Sequence, residues 1–201
     1  SWQGRVYGRS RSRGPGGMYF EGTEDSVKTR SRALTRVFQK IGAPEGPKGG
    51  SGCSTPAYLD RLANWQRARY YSAYFGAEMS KPAAQHDKNL YCPKVSQTRT
   101  AETAAAGEAF LRDMASFLSD VGIETNSTEQ FETDSNERHE TVRLRVGIKN
   151  DSENLIRFFS RVGYRYNREK RRAAAKAIVY LKRKEHQRDR RARIAADIPP
   201  S

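Results

Sequence analysis

Residues 141–163 read TVRLRVGIKNDSENLIRFFSRVG. Val142, Leu144, Val146 and Ile148 alternate with Arg143, Arg145, Gly147 and Lys149. This period of two predicts a β-strand over 141–149 with one face on a core and the other cationic. Then the period changes. Asp151 or Ser152 supplies a helix N-cap, and Leu155, Ile156, Phe158, Phe159 and Val162 recur at helical spacing until Gly163 ends the run. A half-buried strand followed at once by an amphipathic helix is the unit of an α+β fold.

Working outward, a final helix is expected over 168–196 through Ala173, Ala177, Ile178 and Leu181. Upstream, 123–131 reads as β-rich. Thr103 is placed to cap a helix whose stripe is Phe110, Leu111, Met114, Phe117, Leu118 and Val121, before Gly122. Residues 80–100 form short, turn-interrupted strands, a hairpin or a pair. Thr55-Pro56 gives an N-cap with proline at the first helical position, and Leu59, Leu62, Tyr70, Ala73, Tyr74 and Ala77 carry one long helix to about Glu78. The order α-β-β-α-β-β-α-α implies an antiparallel sheet with helices on one face.

Residues 1–17 mix glycine with arginine and read as a flexible basic arm, residues 18–20 as a short strand, and 27–41 as a helix. A Gly/Pro-rich linker over 43–54 separates this part from the rest, so the division expected is 1–50 and 51–201. Leu34–Gly42 (LTRVFQKIG) aligns without gaps on Leu155–Gly163 (LIRFFSRVG). Either two amphipathic helices coincide, or 1–50 ends with the tail of an earlier copy of the same domain.

The 201 residues carry 37 Lys or Arg against 23 acids, a formal charge of +14. Residues 157–193 alone hold fifteen bases and three acids. Such a balance favours a polyanionic partner, because neutralising phosphates releases condensed counterions. No run approaches the roughly 18 apolar residues of a membrane span, and no signal segment opens the sequence, so a cytoplasmic or organellar protein is expected rather than a secreted one. Cys53 and Cys92 either pair or stay as ordinary thiols, and His86, His139 and His186 stand apart without zinc-ligand spacing.

The segment Tyr71-Ser72-Ala73-Tyr74-Phe75-Gly76-Ala77-Glu78-Met79 resembles the motif of the LAGLIDADG homing endonucleases. FGAEMSKP, VRLRVGIKN, ENLIRFF, VGYRYNREKRR and IVYLKRKE resemble the second repeat of such enzymes in archaeal inteins and introns, over about 55–190. The resemblance implies an αββαββα domain with a β-saddle, in which Ala73 and Ala77 face a partner helix. It also implies that Glu78 binds a divalent metal, Mg²⁺, at the centre of a double-stranded DNA site. Magnesium prefers carboxylate, phosphate and water oxygens and acidifies a bound water. It further implies Lys149, with Lys94 second, as the basic group polarising the site. The saddle set is Lys81, Lys88, Lys94, Gln97, Arg99, Arg138, Arg143, Arg145 and Lys149, with Lys88 and Arg138 better placed for phosphate than for base edges.

The sequence departs from the motif at Ala73, Gly76 and Met79, so binding is better supported than cleavage. With one full motif, the expected partner is a second copy or a missing first repeat. The main expectation is a Mg²⁺-dependent, sequence-specific DNA endonuclease. Its rival is a degenerate, non-cleaving DNA-binding or maturase-like RNA-binding protein.

Overall fold

A computed structural model of the chain describes residues 6–13, 19–26, 31–42, 54–85, 89–127, 129–136 and 139–196. They fall into two compact units, Ser1–Ala43 and Pro44–Ser201.

In the first unit β1 (Val6–Arg13) pairs antiparallel with β2 (Tyr19–Ser26), in a register that sets Arg11 opposite Glu21. The flexible arm expected over 1–17 is therefore corrected at 6–13. The segment VYGRSRSR has strand periodicity, and a partner strand satisfies its backbone groups. The short strand expected over 18–20 extends to Ser26. α1 (Arg32–Lys40) is shorter than the expected 27–41, because Ser31 Oγ accepts from Leu34 N–H at 3.3 Å and sets the first turn.

The second unit opens with a single 3₁₀ turn, Leu59–Arg61, not with a long helix. Leu62 and Ala63 are extended, and α2 (Asn64–Glu78) begins only after them. Gln66 Oε1 accepts from Ala63 N–H at 3.1 Å, satisfying a donor at the new start. The Thr55-Pro56 signal thus marks a turn that ends in the buried Leu59.

β3 (Ala84–Gln85) and β4 (Asn89–Leu90) form a two-residue ladder, and β5 (Lys94–Thr100) follows. α3 (Ala101–Asp120) starts after Thr100 rather than after Thr103, whose hydroxyl instead meets that of Thr100 at 3.0 Å. β6 (Glu129–Asn136) and β7 (His139–Gly147) complete a three-stranded antiparallel sheet of order β5-β7-β6. α4 (Ser152–Arg161) is capped by Asp151, which accepts from Asn154 N–H at 2.9 Å, and α5 (Arg168–Ala196) ends the described chain. The α+β class stands. The strand next to β7 on one side is β5, reached across α3, so sheet neighbours are not chain neighbours there.

One face of the sheet is the core. Val95, Leu144 and Val146 are at most 2% exposed and join Phe110, Leu111, Met114, Phe117 and Leu118 of α3. A Cβ on Gly107 would lie 2.9 Å from Leu144 Cδ1 and 3.0 Å from Arg99 Cγ, so the missing side chain lets α3 settle on the strands. Aromatic rings tie in α2 and α4: Tyr71 stacks on Phe117 with centroids 4.7 Å apart, and Phe75 meets Phe158 edge-on at 5.7 Å. Each fully buried ring contributes about 1.5–3 kcal/mol.

Asn154, 3% exposed, fastens the sheet end to α4. Its Oδ1 accepts from Glu124 N–H at 2.8 Å, and its Nδ2 donates to the carbonyls of Glu124 at 2.9 Å and Lys149 at 3.0 Å. Among the described residues no helix is long and apolar enough to cross a membrane.

Candidate nucleic-acid interface

The sheet face turned away from α3 is built by alternation. On β5 Lys94, Ser96 and Thr98 are exposed while Val95 and Arg99 are buried. The register sets Ser96 opposite Arg145 and Thr98 opposite Arg143, so these five side chains share one surface. Arg143 is exposed, and Arg145 is half-buried with its Nε 3.4 Å from Ser96 Oγ.

Gln97 and Arg99, expected on this surface, lie on the other. Arg99 is 6% exposed and donates from Nε and Nη2 to Gln97 Oε1 at 3.2 and 3.0 Å, while Gln97 Nε2 donates to Tyr74 Oη at 2.7 Å. Their role as base readers is corrected: they join β5 to α2 beneath α3. Both faces of β5 carry polar residues, so hydrophobic alternation alone did not assign them. Lys88 and Arg138 lie outside the described residues.

A second basic site surrounds the end of α2. The last carbonyls of a helix have no partner within it and carry partial negative charge. Here Lys170 Nζ donates to the carbonyls of Gly76 and Ala77 at 2.9 and 3.0 Å and reaches that of Phe75 at 3.5 Å. Asn167 Nδ2 also donates to Gly76 O at 3.1 Å, and Asn167 Oδ1 accepts from Lys170 N–H at 3.0 Å. Burial pulls the Lys170 ammonium below its ordinary pKa, against the opposing pull of Glu78 and Glu169.

This docking needs Gly76. A Cβ there would stand 1.8 Å from the carbonyl oxygen of Arg165, whose own N–H donates to Ser72 O at 2.8 Å. The close approach thus falls at Gly76, within the chain. Ala73 is half-buried and Ala77 exposed. Met79, where the motif has glycine, is a core residue at 1% exposure.

The cavity beside this helix end has a volume of about 370 Å³, and Glu78, Lys81, Lys94, Glu169 and Lys170 line it. The structure thus brings Glu78, Lys81 and Lys94 together. Lys81 Nζ meets Glu169 Oε1 at 2.6 Å, an ion pair that holds the Glu169 carboxyl below its ordinary range. Lys149 is not among the lining residues. It pairs with Glu124 Oε2 at 2.7 Å, and the contact raises the Lys149 pKa and lowers that of Glu124.

Among the described residues no three His, Cys, Asp or Glu side chains gather to hold a metal. Glu78 and Glu169 are the two carboxylates lining the cavity, and Glu169 and the helix-end carbonyls are engaged by lysines. The donor set is compatible with a divalent cation only in company with oxygens from another molecule. The roles of Lys170 and Asn167 at this helix end, and the need for glycine at Gly76, escaped the sequence reading, because only the return of the chain past Tyr164 brings Asn167 and Lys170 to α2.

α5 adds a further cationic element. Ala174, Ala177 and Leu181 are its buried residues, and no described residue from Lys182 onward is buried.

No family model matches the chain, and no solved structure does. The tRNA-splicing ligase RtcB of Methanopyrus kandleri is 29% identical over 187 residues, covering 89% of this chain and 18% of that protein. RtcB of Pyrococcus abyssi is 29% identical over 168 residues, covering 82% of this chain and 17% of that protein. The DNA-directed RNA polymerase subunit Rpo1N of Methanocaldococcus jannaschii is 24% identical over 160 residues, covering 80% and 12%. The chain spans less than a fifth of the length of these relatives. Their names are those of RNA-related proteins. They overturn the expectation of a DNA endonuclease of the homing, intein or intron kind acting on double-stranded DNA.

Proposed function

We propose that this chain is a non-cleaving, RNA-binding module carried within longer proteins. What carries the reading is the exposed sheet surface of Lys94, Ser96, Thr98, Arg143 and Arg145, which offers cations and hydrogen-bonding side chains on a rigid plane whose reverse is core. Flat, basic, hydroxyl-bearing surfaces suit phosphates and the 2′-hydroxyls of RNA. The scaffold of this proposal is the αββαββα arrangement of LAGLIDADG type, without its nuclease activity.

The same stretch matches proteins named as ligases and one named as a polymerase subunit, in each a small part of the whole. A segment shared by proteins of different named activities supports a common binding module rather than the ligation centre itself. Mg²⁺ is the ion proposed for Glu78, which would hold it only in company with RNA phosphate; the ion would supply the positive charge that lets a phosphate lie beside the carboxylate.

The test is fluorescence anisotropy with a labelled RNA stem-loop and with duplex DNA of equal length, at several salt concentrations. RNA binding is expected to fall with salt and to weaken when Arg143 and Arg145 are both changed to Ala. A preference for the duplex, or cleavage of either nucleic acid, would overturn the proposal.

A further inference from the structure

α1 has no buried residue. Its apolar side chains nevertheless form one stripe at the spacing i, i+3, i+4, i+7: Leu34, half-buried, then Val37, Phe38 and Ile41, which are 54%, 46% and 43% exposed. A helix of nine residues gains little from its own hydrogen bonds and depends on packing of its apolar face. Among the described residues nothing buries that face.

What fits it can be read from α4. Leu34–Gly42 and Leu155–Gly163 share Leu, Arg, Phe and Gly at an offset of 121 residues. The structure extends the likeness. At that offset α4 (Ser152–Arg161) falls on 31–40, where α1 is Arg32–Lys40, and β7 (His139–Gly147) falls on 18–26, where β2 is Tyr19–Ser26. Each strand is the second of an antiparallel hairpin. Each helix starts at a side-chain cap, Ser31 or Asp151, and is followed by a glycine with positive φ, Gly42 at 87° and Gly163 at 58°. Amphipathicity alone explains a similar stripe, but not a strand, a helix and a stop that keep step without a gap.

In α4 that stripe lies in the core: Leu155 and Phe158 are 0% exposed and Phe159 is 8% exposed. Elements ahead of the hairpin provide much of its cover. Phe158 meets Phe75 of α2 at 5.7 Å, within a cluster that includes Phe110, Phe117 and Leu118 of α3. The second unit of another copy has no such seat to offer, because its own α4 fills it. β2 carries Glu21, Thr23 and Asp25 where β7 has Val142, Leu144 and Val146, so the surface to be covered is that of α1. The relatives are more than five times as long as the stretch they share with this chain, which leaves room for a further copy of the domain.

We propose that α1 docks into a first copy of this domain: its apolar face is covered by helices equivalent to α2 and α3, supplied by chain that precedes β1 in the longer protein. Burial of Val37, Phe38 and Ile41 then holds the first unit in place as α4 is held in the second.

The test compares the 201-residue chain with the natural protein extended ahead of Ser1 by about 75 residues, the length that 54–128 occupies in the second unit. Hydrogen exchange of the amides of 34–42, read by mass spectrometry, is expected to be on the order of a hundredfold slower in the extended protein. Phe38→Glu is expected to abolish that difference and to lower the Tm of the extended protein by about 5 °C, leaving the Tm of the 201-residue chain unchanged. The contact is also read without any variant, as nuclear Overhauser effects from the Phe38 ring to side chains ahead of Ser1. Equal exchange in the two proteins, Overhauser effects only to residues after Ala43, or a natural protein with no such segment ahead of Ser1 would overturn the proposal. Protection already present in the 201-residue chain would overturn it too: a rise with concentration assigns the face to a second copy, and independence of concentration assigns it to the chain's own residues.

Discussion

Substituting Gly76 by alanine tests how the end of α2 is built. In a solvated helix the change stabilises by about 1 kcal/mol, since glycine is the weaker helix former. In this fold the added Cβ lands 1.8 Å from the Arg165 carbonyl oxygen and 3.0 Å from its carbon. Both are backbone atoms, so no rotamer change relieves the clash. The segment must retreat by roughly 1.5 Å to reach ordinary contact. A shift of that size breaks the 2.8 Å bond from Arg165 N–H to Ser72 O and the 3.1 Å bond from Asn167 to Gly76 O. Each lost bond costs about 1 kcal/mol, and overpacking adds about 1–3 kcal/mol.

After the helix gain is set against these, Gly76→Ala is expected to destabilise by about 2–4 kcal/mol. Urea denaturation followed by circular dichroism measures it as a lower midpoint at unchanged slope. Gly107→Ala is the control. Its Cβ meets Leu144 Cδ1 and the aliphatic stem of Arg99, side-chain atoms that can give way, so its cost is expected below about 1.5 kcal/mol. A Gly76→Ala protein as stable as the parent, or costs ordered the other way, would refute the reasoning.

Three further outcomes are expected. Asn154→Ala removes three side-chain bonds in a buried setting and should lower stability by about 2–4 kcal/mol, checked by urea midpoint against Asn154→Asp. The contact with Lys149 lowers the Glu124 pKa below 4.5, so its stabilisation is present above that pH and lost as acid protonates the carboxylate. Lys149→Met should flatten the stability profile below pH 4.5, and an unchanged profile would show the pair to be idle. Removing residues 182–201 deletes no buried residue among those described, so Tm should hold while the salt dependence of RNA binding becomes shallower. A large fall in Tm would mean that this end of α5 has a packing role.

Local period carried much of the architecture. β7, α4 and α5 lie close to where alternation, an Asp cap and apolar spacing put them, because each signal sits within one element. Errors gathered where two local signals competed. Thr55-Pro56 is a sound helix start in isolation, yet the extended Leu62 and Ala63 hand the start to Asn64. Lys149, expected beside Glu78, is held by Glu124 instead. The motif segment pointed to the helix that bears Glu78 but not to the DNA-cutting role, which the RNA-related names of the relatives overturned.

The sequence by itself determined the charge distribution, the α+β class and the cationic face of β7, because composition and short-range periodicity need no partner to be read. The tertiary structure decided which side of β5 faces out, why Gly76 must lack a side chain, where Lys170 spends its charge, and that the Ser72 hydroxyl is buried with no partner among the described residues. Each depends on atoms brought together from distant parts of the chain: Arg165 and Lys170 reach α2 from about 90 residues away. No pattern within a single element records such a meeting, since it is set by how the packed helices and sheet fill space together.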